Sequence, residues 1–337
     1  MWSNKKTSLL LGVLLWIVPF LSHSAQKNDS PLHMVFSSNP QYPRTEATES
    51  GRVESDSERE KRSKFLIEAQ YSDIADFRRN SGGPDQVPVM INGDLTMYGR
   101  GWQRSVVMPI LQEKLEGVYD YGLGKRDYEK NLANCFLNSC AATSIEHFKG
   151  RYWGKVDSMD FGVRVSGRTD VYYGSLAYSR TIGDVHLVQL NNEPTYSVTF
   201  FSGTPLISPL EVRITDALDW LERDLRKARQ QGRIIILNMH KVRGWMGSEQ
   251  QIERFRTMIQ AYKVTAVFAG HYHWHSGRYW NASDRFGNVP VFLSGSAIRQ
   301  TYLIASISAD RQALTVNRVE GNYWPGRQLE AVVEVQY

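Results

Sequence analysis

Val264-Thr-Ala-Val-Phe-Ala-Gly-His-Tyr-His-Trp-His275 is the stretch on which the reading of this chain turns. Its opening run is apolar, β-branched or small, the pattern of a fully buried strand, and Gly270 ends it. His271, His273 and His275 follow at once. Residues two apart in an extended segment point the same way, so His271 and His273 could aim at one point beyond the strand's carboxyl end. Neutral imidazoles placed like that suit zinc, iron or manganese. Gly270 lets the backbone turn sharply and come close to a bound group. The alternative is a polar surface loop with scattered histidines. What a metal site needs is partners from other strand ends.

Several other strands deliver such partners. Leu32–Ser37 runs into Ser38-Asn-Pro-Gln-Tyr-Pro43, Val87–Ile91 delivers Asn92-Gly-Asp94, and Gly117–Tyr121 leads into Gly122-Leu-Gly-Lys-Arg-Asp127. Arg233–Asn238 delivers His240. Asp184–Leu190, Val289–Leu293, Tyr302–Ile307 and Leu314–Val319 read as further strands. Helical spacing appears over Lys64–Phe77, Trp102–Leu115, Thr215–Gln231 and Gln250–Tyr262. Residues 129–170 read as loop-rich. Strands alternating with helices, with extra strands at the end, predict an α+β fold, an α/β sandwich of two central mixed β-sheets flanked by helices.

The composition is that of a globular protein: 337 residues, 42% hydrophobic and 22% charged. Lys5 and Lys6 precede the apolar run Ser8–Leu21 and the small-residue segment Ser22-His-Ser-Ala25, which reads as a secretory signal over residues 1–25. Residues 26–337 are then expected to form a single domain, secreted or periplasmic, with no membrane span. Removing Lys5 and Lys6 takes the formal net charge from +5 to +3, and no basic block is concentrated enough to indicate nucleic acid. The only two cysteines, Cys135 and Cys140, suggest one small loop disulfide in an exported chain. Asn28-Asp-Ser30 and Asn281-Ala-Ser283 match the glycosylation acceptor pattern, which matters only in an organism that glycosylates.

The order of polar groups at the strand ends resembles the calcineurin-like metallophosphoesterase superfamily. Asn39-Pro-Gln41 stands where that family has Asp-x-His or Asp-x-Gln, and Gly93-Asp94 where it has Gly-Asp. Gly124-Lys-Arg-Asp127 takes the place of Gly-Asn-His-Asp/Glu, His240 of the lone His, and Gly270-His-Tyr-His273 of Gly-His-x-His. The resemblance runs from about Leu32 to about Leu293. It implies metal ligands at Asp94, His240, His271, His273, Gln41 and Asn39, with Asp94 as the bridge between two cations that activate water against a phosphoryl group. It implies catalytic roles for Asp94 and Arg126, and phosphate contacts from Lys125 and Arg126.

Three of these positions depart from the family pattern. Asn39 removes a carboxylate. Lys125 replaces an Asn ligand and, while protonated, has no lone pair to give. Arg126 replaces a His; it can fork onto phosphate but cannot trade a proton near neutral pH. Together they make the centre about three charges more positive, and each like-charge pair at about 4 Å opposes cation binding by roughly 4 kcal/mol at an effective dielectric near 20. Two arrangements follow. Asp94, His240 and His271 hold one divalent transition metal (Mn, Fe or Zn), or the Lys125 ammonium neutralises Asp94 and leaves a metal-free anion clamp.

Two functions follow as well. One is an exported phosphoesterase-type hydrolase with a one-metal or impaired centre, acting on a phosphate-containing small molecule. The other is a catalytically inactive relative that binds an anionic ligand or a protein partner. His147 and His186 read as structural, and His275 as surface or supporting. Tyr42, Tyr272 and Trp274 fit either a substrate rim or packing.

Overall fold

Alternation along the strands explains the layers. In the strand Ile234–Met239, Ile234 and Ile236 face one apolar cluster while Ile235, Leu237 and Met239 face another. In Leu32–Ser37, Met34 and Phe36 point to the first of these clusters and Val35 to a third. A strand buried on both faces must lie inside a stack, and each such side chain contributes about 1.5–3 kcal/mol by leaving water.

The computed structural model describes residues 1–2, 30–204 and 207–337. Two mixed sheets form its centre. One has six strands in the order Gln328–Glu334, Ala313–Val319, Tyr302–Ile307, Leu32–Ser37, Val89–Ile91 and Asp120–Tyr121. The other has seven: Ser276–Arg278, Val291–Ser294, Ala266–Ala269, Ile234–Met239, Val185–Gln189, Tyr178–Ile182 and Ser158–Met159. Their inner faces share a core in which Phe36 stacks on Phe268 with ring centroids 3.7 Å apart. Outside the six-stranded sheet pack the helices Asp56–Asn80, Gly101–Lys114 and Ser139–Tyr152; outside the other pack Leu218–Gln230 and Glu249–Ala261. The expected α+β architecture of two mixed sheets with flanking helices is what the chain adopts.

Residues 129–170 are not the loop-rich stretch expected from sequence. They carry the helix Ser139–Tyr152, whose Ala141, Ile145, Phe148 and Tyr152 are buried at helical spacing. Its polar neighbours disguise it, because tertiary burial rather than propensity holds it. A third sheet, ordered Gly162–Ser166, Thr169–Tyr173, Ile207–Ile214 and Val198–Thr204, was also not expected. Its strands bury few side chains, so their apolar pattern is weak.

Cys135 and Cys140 form the expected disulfide. It closes the turn entering Ser139–Tyr152, and Asn138 Nδ2 ties that turn to the Phe201 carbonyl at 2.9 Å. The leader expected over residues 1–25 lies, from residue 3 onward, outside the described residues. Among the described residues no helix is long and apolar enough to cross a membrane.

Topology then sets the site. Leu32–Ser37, Val89–Ile91 and Asp120–Tyr121 are parallel neighbours in one sheet, and Ile234–Met239 and Ala266–Ala269 are parallel neighbours in the other. Their carboxyl ends release the loops that carry Asn39, Asp94, Arg126, His240 and His271. Those loops are laced together: Asn39 N–H donates to the Gly93 carbonyl at 3.1 Å, Gln41 N–H to that of Asp94 at 2.9 Å, and Gly270 N–H to that of His240 at 3.1 Å.

Candidate metal centre

Asp94, His240 and His271 come together from three strand ends, with one donor atom of each within 4.8 Å of the other two. The His240 Nε2 atom lies 3.3 Å from Asp94 Oδ2 and 3.2 Å from His271 Nδ1. The other His240 nitrogen, Nδ1, lies 2.8 Å from the Asn92 carbonyl. A carbonyl only accepts, so Nδ1 carries a proton and Nε2 is the atom turned to the centre. Asp94 is buried and also accepts from Gln41 Nε2 at 3.1 Å and from the Arg126 backbone N–H at 2.6 Å.

Two glycines allow this closeness. A Cβ on Gly124 would lie 2.2 Å from Asp94 N, and one on Gly93 would lie 2.6 Å from the Gly124 Cα. Asn39, Gln41, Asp94 and His271 all occupy the left-handed region, with φ of 50, 44, 53 and 71°. Such conformations persist only where the surrounding contacts over-determine them.

The electrostatics couple the three groups to one another. Burial pushes the Asp94 carboxyl up, but His240 beside it and the Arg126 N–H outweigh that and hold it at about 2. Burial lowers His240, yet Asp94 wins and its pKa is raised. Burial, reinforced by His240, pushes His271 down to about 3, so this imidazole is neutral at ordinary pH. Asp127 accepts from the N–H groups of Leu95, Thr96 and Gly124, fastening the Arg126 turn to the Asp94 turn. Burial first, then Asp94, pushes its carboxyl up to about 6.

Whether one cation suits these residues is a question of donor chemistry. Two imidazoles and a carboxylate with open positions are a set used for single transition metals. Nearby, Asn39 Oδ1 and Gln41 Oε1 are buried without a hydrogen-bond partner among the described residues. Asn39 instead spends its amide on donation, from Nδ2 to Ser38 Oγ at 3.0 Å and to the Gly295 carbonyl at 2.9 Å. A carboxylate at position 39 would face that carbonyl oxygen, so these surroundings select an amide.

His273 lies outside the close Asp94–His240–His271 cluster. Its Nδ1 lies 2.6 Å from Glu49 Oε1, and Glu49 also pairs with Arg44 at 3.3 Å and Arg299 at 3.4 Å. Burial raises the Glu49 carboxyl, but His273, Arg44 and Arg299 bring it below its usual range. Sequence reading missed Glu49, which sits in the short helix Glu46–Glu49 of a uniformly polar tract and carries no motif. Lys125 forms no ion pair with Asp94 among the described residues. Its charge instead helps lower His271.

Asp94, Arg126, His271 and His273 share a cleft of about 400 Å³ with Gln41, Arg44, Glu49, Tyr272, Trp274 and His275. Neither Lys125 nor the Arg126 guanidinium is matched by a carboxylate among the described residues. Tyr42 is buried and packs edge-on against Trp102, away from any rim role. His186 pairs with Asp224 at 2.7 Å and His147 with the Tyr121 hydroxyl at 2.8 Å, both as structural ties.

No family model matches the chain, and no curated protein does. Among solved structures it is similar to the purple acid phosphatase PPD1 from yellow lupin (Lupinus luteus) seeds, at 10% identity and TM-score 0.49, over 91% of this chain and 54% of that one. It is similar to GAP50, the anchor in the inner membrane complex of Plasmodium, at 10% identity and TM-score 0.44, over 91% of this chain and 89% of that one. It is also similar to the calcineurin-like phosphoesterase YfkN of Bacillus subtilis, at 12% identity and TM-score 0.41, over 91% and 90%. At such identities the likeness concerns the fold.

Proposed function

We propose that this chain is an exported phosphoesterase whose residues 26–337 form one domain, with a centre built for one divalent transition metal. The convergence of Asp94, His240 and His271 carries this reading. Asp94, held ionised, and the Nε2 face of His240 are the buried donors, with His271 beside them. A divalent cation there would act as a Lewis acid on the phosphoryl group. The Arg126 backbone N–H holds Asp94 in place, while its guanidinium is free to fork onto phosphate oxygens in the same cleft. Lys125 adds a second positive charge. Glu49 keeps His273 and Arg44 oriented along the wall.

A second reading is favoured by Asn39, Lys125 and Arg126: a catalytically inactive relative that uses the cleft to bind an anion or a protein partner. Arg126 cannot trade a proton near neutral pH, and losing such a group typically costs two to four powers of ten in rate.

Metal analysis of the purified chain, beside turnover of 4-nitrophenyl phosphate with added manganese, iron or zinc, separates the two. The hydrolase reading expects one equivalent of metal and metal-dependent turnover, both lost in Asp94→Ala. Turnover seen only after combining Asn39→Asp, Lys125→Asn and Arg126→His would instead establish the inactive reading.

A further inference from the structure

Trp274 has no part in the centre just described, yet it lines the same cleft while remaining 65% exposed. An indole so placed at the rim of a polar cleft presents a flat apolar surface to whatever enters it. One of its faces is covered: the Arg299 guanidinium lies over the ring, and Arg299 is itself anchored by Glu49. Glu49 is buried and held by His273 and Arg44. The ring is therefore braced from behind by a chain of charged contacts reaching back to the cleft wall, and its other face is open.

Position matters as much as exposure. Trp274 follows His271 by three residues, so their Cα atoms are at most about 10 Å apart. The donor set and the indole therefore lie close enough for one small ester to touch both. Arg126 lines this space with no carboxylate partner among the described residues, which favours an anionic group at the inner end.

Resting on the phosphoesterase reading, we propose that Trp274 is the specificity-determining surface of the cleft, and that the ligand is a phosphate ester bearing a planar aromatic ring stacked on its open face. An aryl phosphate and a nucleotide share this chemistry. Ring-on-ring stacking of this kind favours the planar ligand by roughly 5- to 100-fold.

The test is calorimetric binding to the manganese-loaded full chain of two matched pairs: phenyl phosphate with cyclohexyl phosphate, and adenosine 5′-phosphate with ribose 5-phosphate. Within a pair the phosphate contribution cancels and the ratio reads the ring alone. At least one pair should show a preference of 5-fold or more for its planar member. That preference should vanish in Trp274→Ala and persist in Trp274→Phe, and the pair showing it names the ligand source. Equal binding within both pairs overturns the proposal, as does a preference that survives in Trp274→Ala. If inorganic phosphate binds while neither pair discriminates, only the role of Trp274 falls; if nothing binds, inorganic phosphate included, the anion site falls with it.

Discussion

Replacing Gly124 with alanine tests the centre through geometry alone. The added Cβ would lie 2.2 Å from Asp94 N and 2.4 Å from Asp94 Oδ1. Ordinary non-bonded contacts begin near 3.4 Å, so the Gly124 and Asp94 turns must separate by about 1 Å. Metal–donor distances tolerate only about 0.2 Å, and His240 Nε2 lies 3.3 Å from Asp94 Oδ2. Asp94 should therefore leave the donor set, weakening manganese binding by about 100-fold or more. Overpacking should lower the unfolding free energy by about 1–3 kcal/mol. Gly150 supplies the control. It lies within the helix Ser139–Tyr152, and a Cβ there meets no atom of the described residues within 4 Å beyond the helix's own backbone. Gly150→Ala should leave manganese binding intact and raise stability by up to about 1 kcal/mol. Manganese titration calorimetry and guanidinium melts on both variants give the answer. Native manganese affinity in Gly124→Ala would show that the centre does not depend on the contact between these two turns.

Three further expectations follow from the same contacts. His271→Ala should remove the bound metal, whereas His273→Ala should keep its stoichiometry and lower stability by about 1–3 kcal/mol through the donor lost to Glu49; metal analysis and denaturant melts tell them apart. Replacing Cys135 and Cys140 with serine should cost about 2 kcal/mol by the loop-entropy relation, read from the same melts, and leave metal content unchanged. His147 is lowered by burial and by Arg104 and Arg151, and His33 by burial and Arg327. Their folded pKa values lie below the unfolded value of about 6.5, so the stability they contribute is present above that pH and is lost as pH falls through the folded values. Thermal melts between about pH 7 and 5 should fall, and His147→Asn should flatten part of that slope.

Local pattern alone sufficed for most of the central framework. Ala266–Ala269 and Ile234–Met239 are buried on both faces, so their apolar runs stand out without any knowledge of neighbours. The pairing of Cys135 with Cys140 was legible for a similar reason, since the two are close in the chain. Ser139–Tyr152 and the third sheet were not, because their side chains gain their burial, or lack it, from segments far away in sequence. The same division runs through the centre. Motif order nominated Asp94, His240, His271 and His273 alike, but spacing says only which way a residue can point, not what will meet it there. Folding brought Glu49 against His273 and the Gly295 carbonyl against Asn39, and both contacts link residues more than two hundred positions apart. A side chain's partner is chosen by through-space distance and charge, and those quantities exist only once the chain has closed.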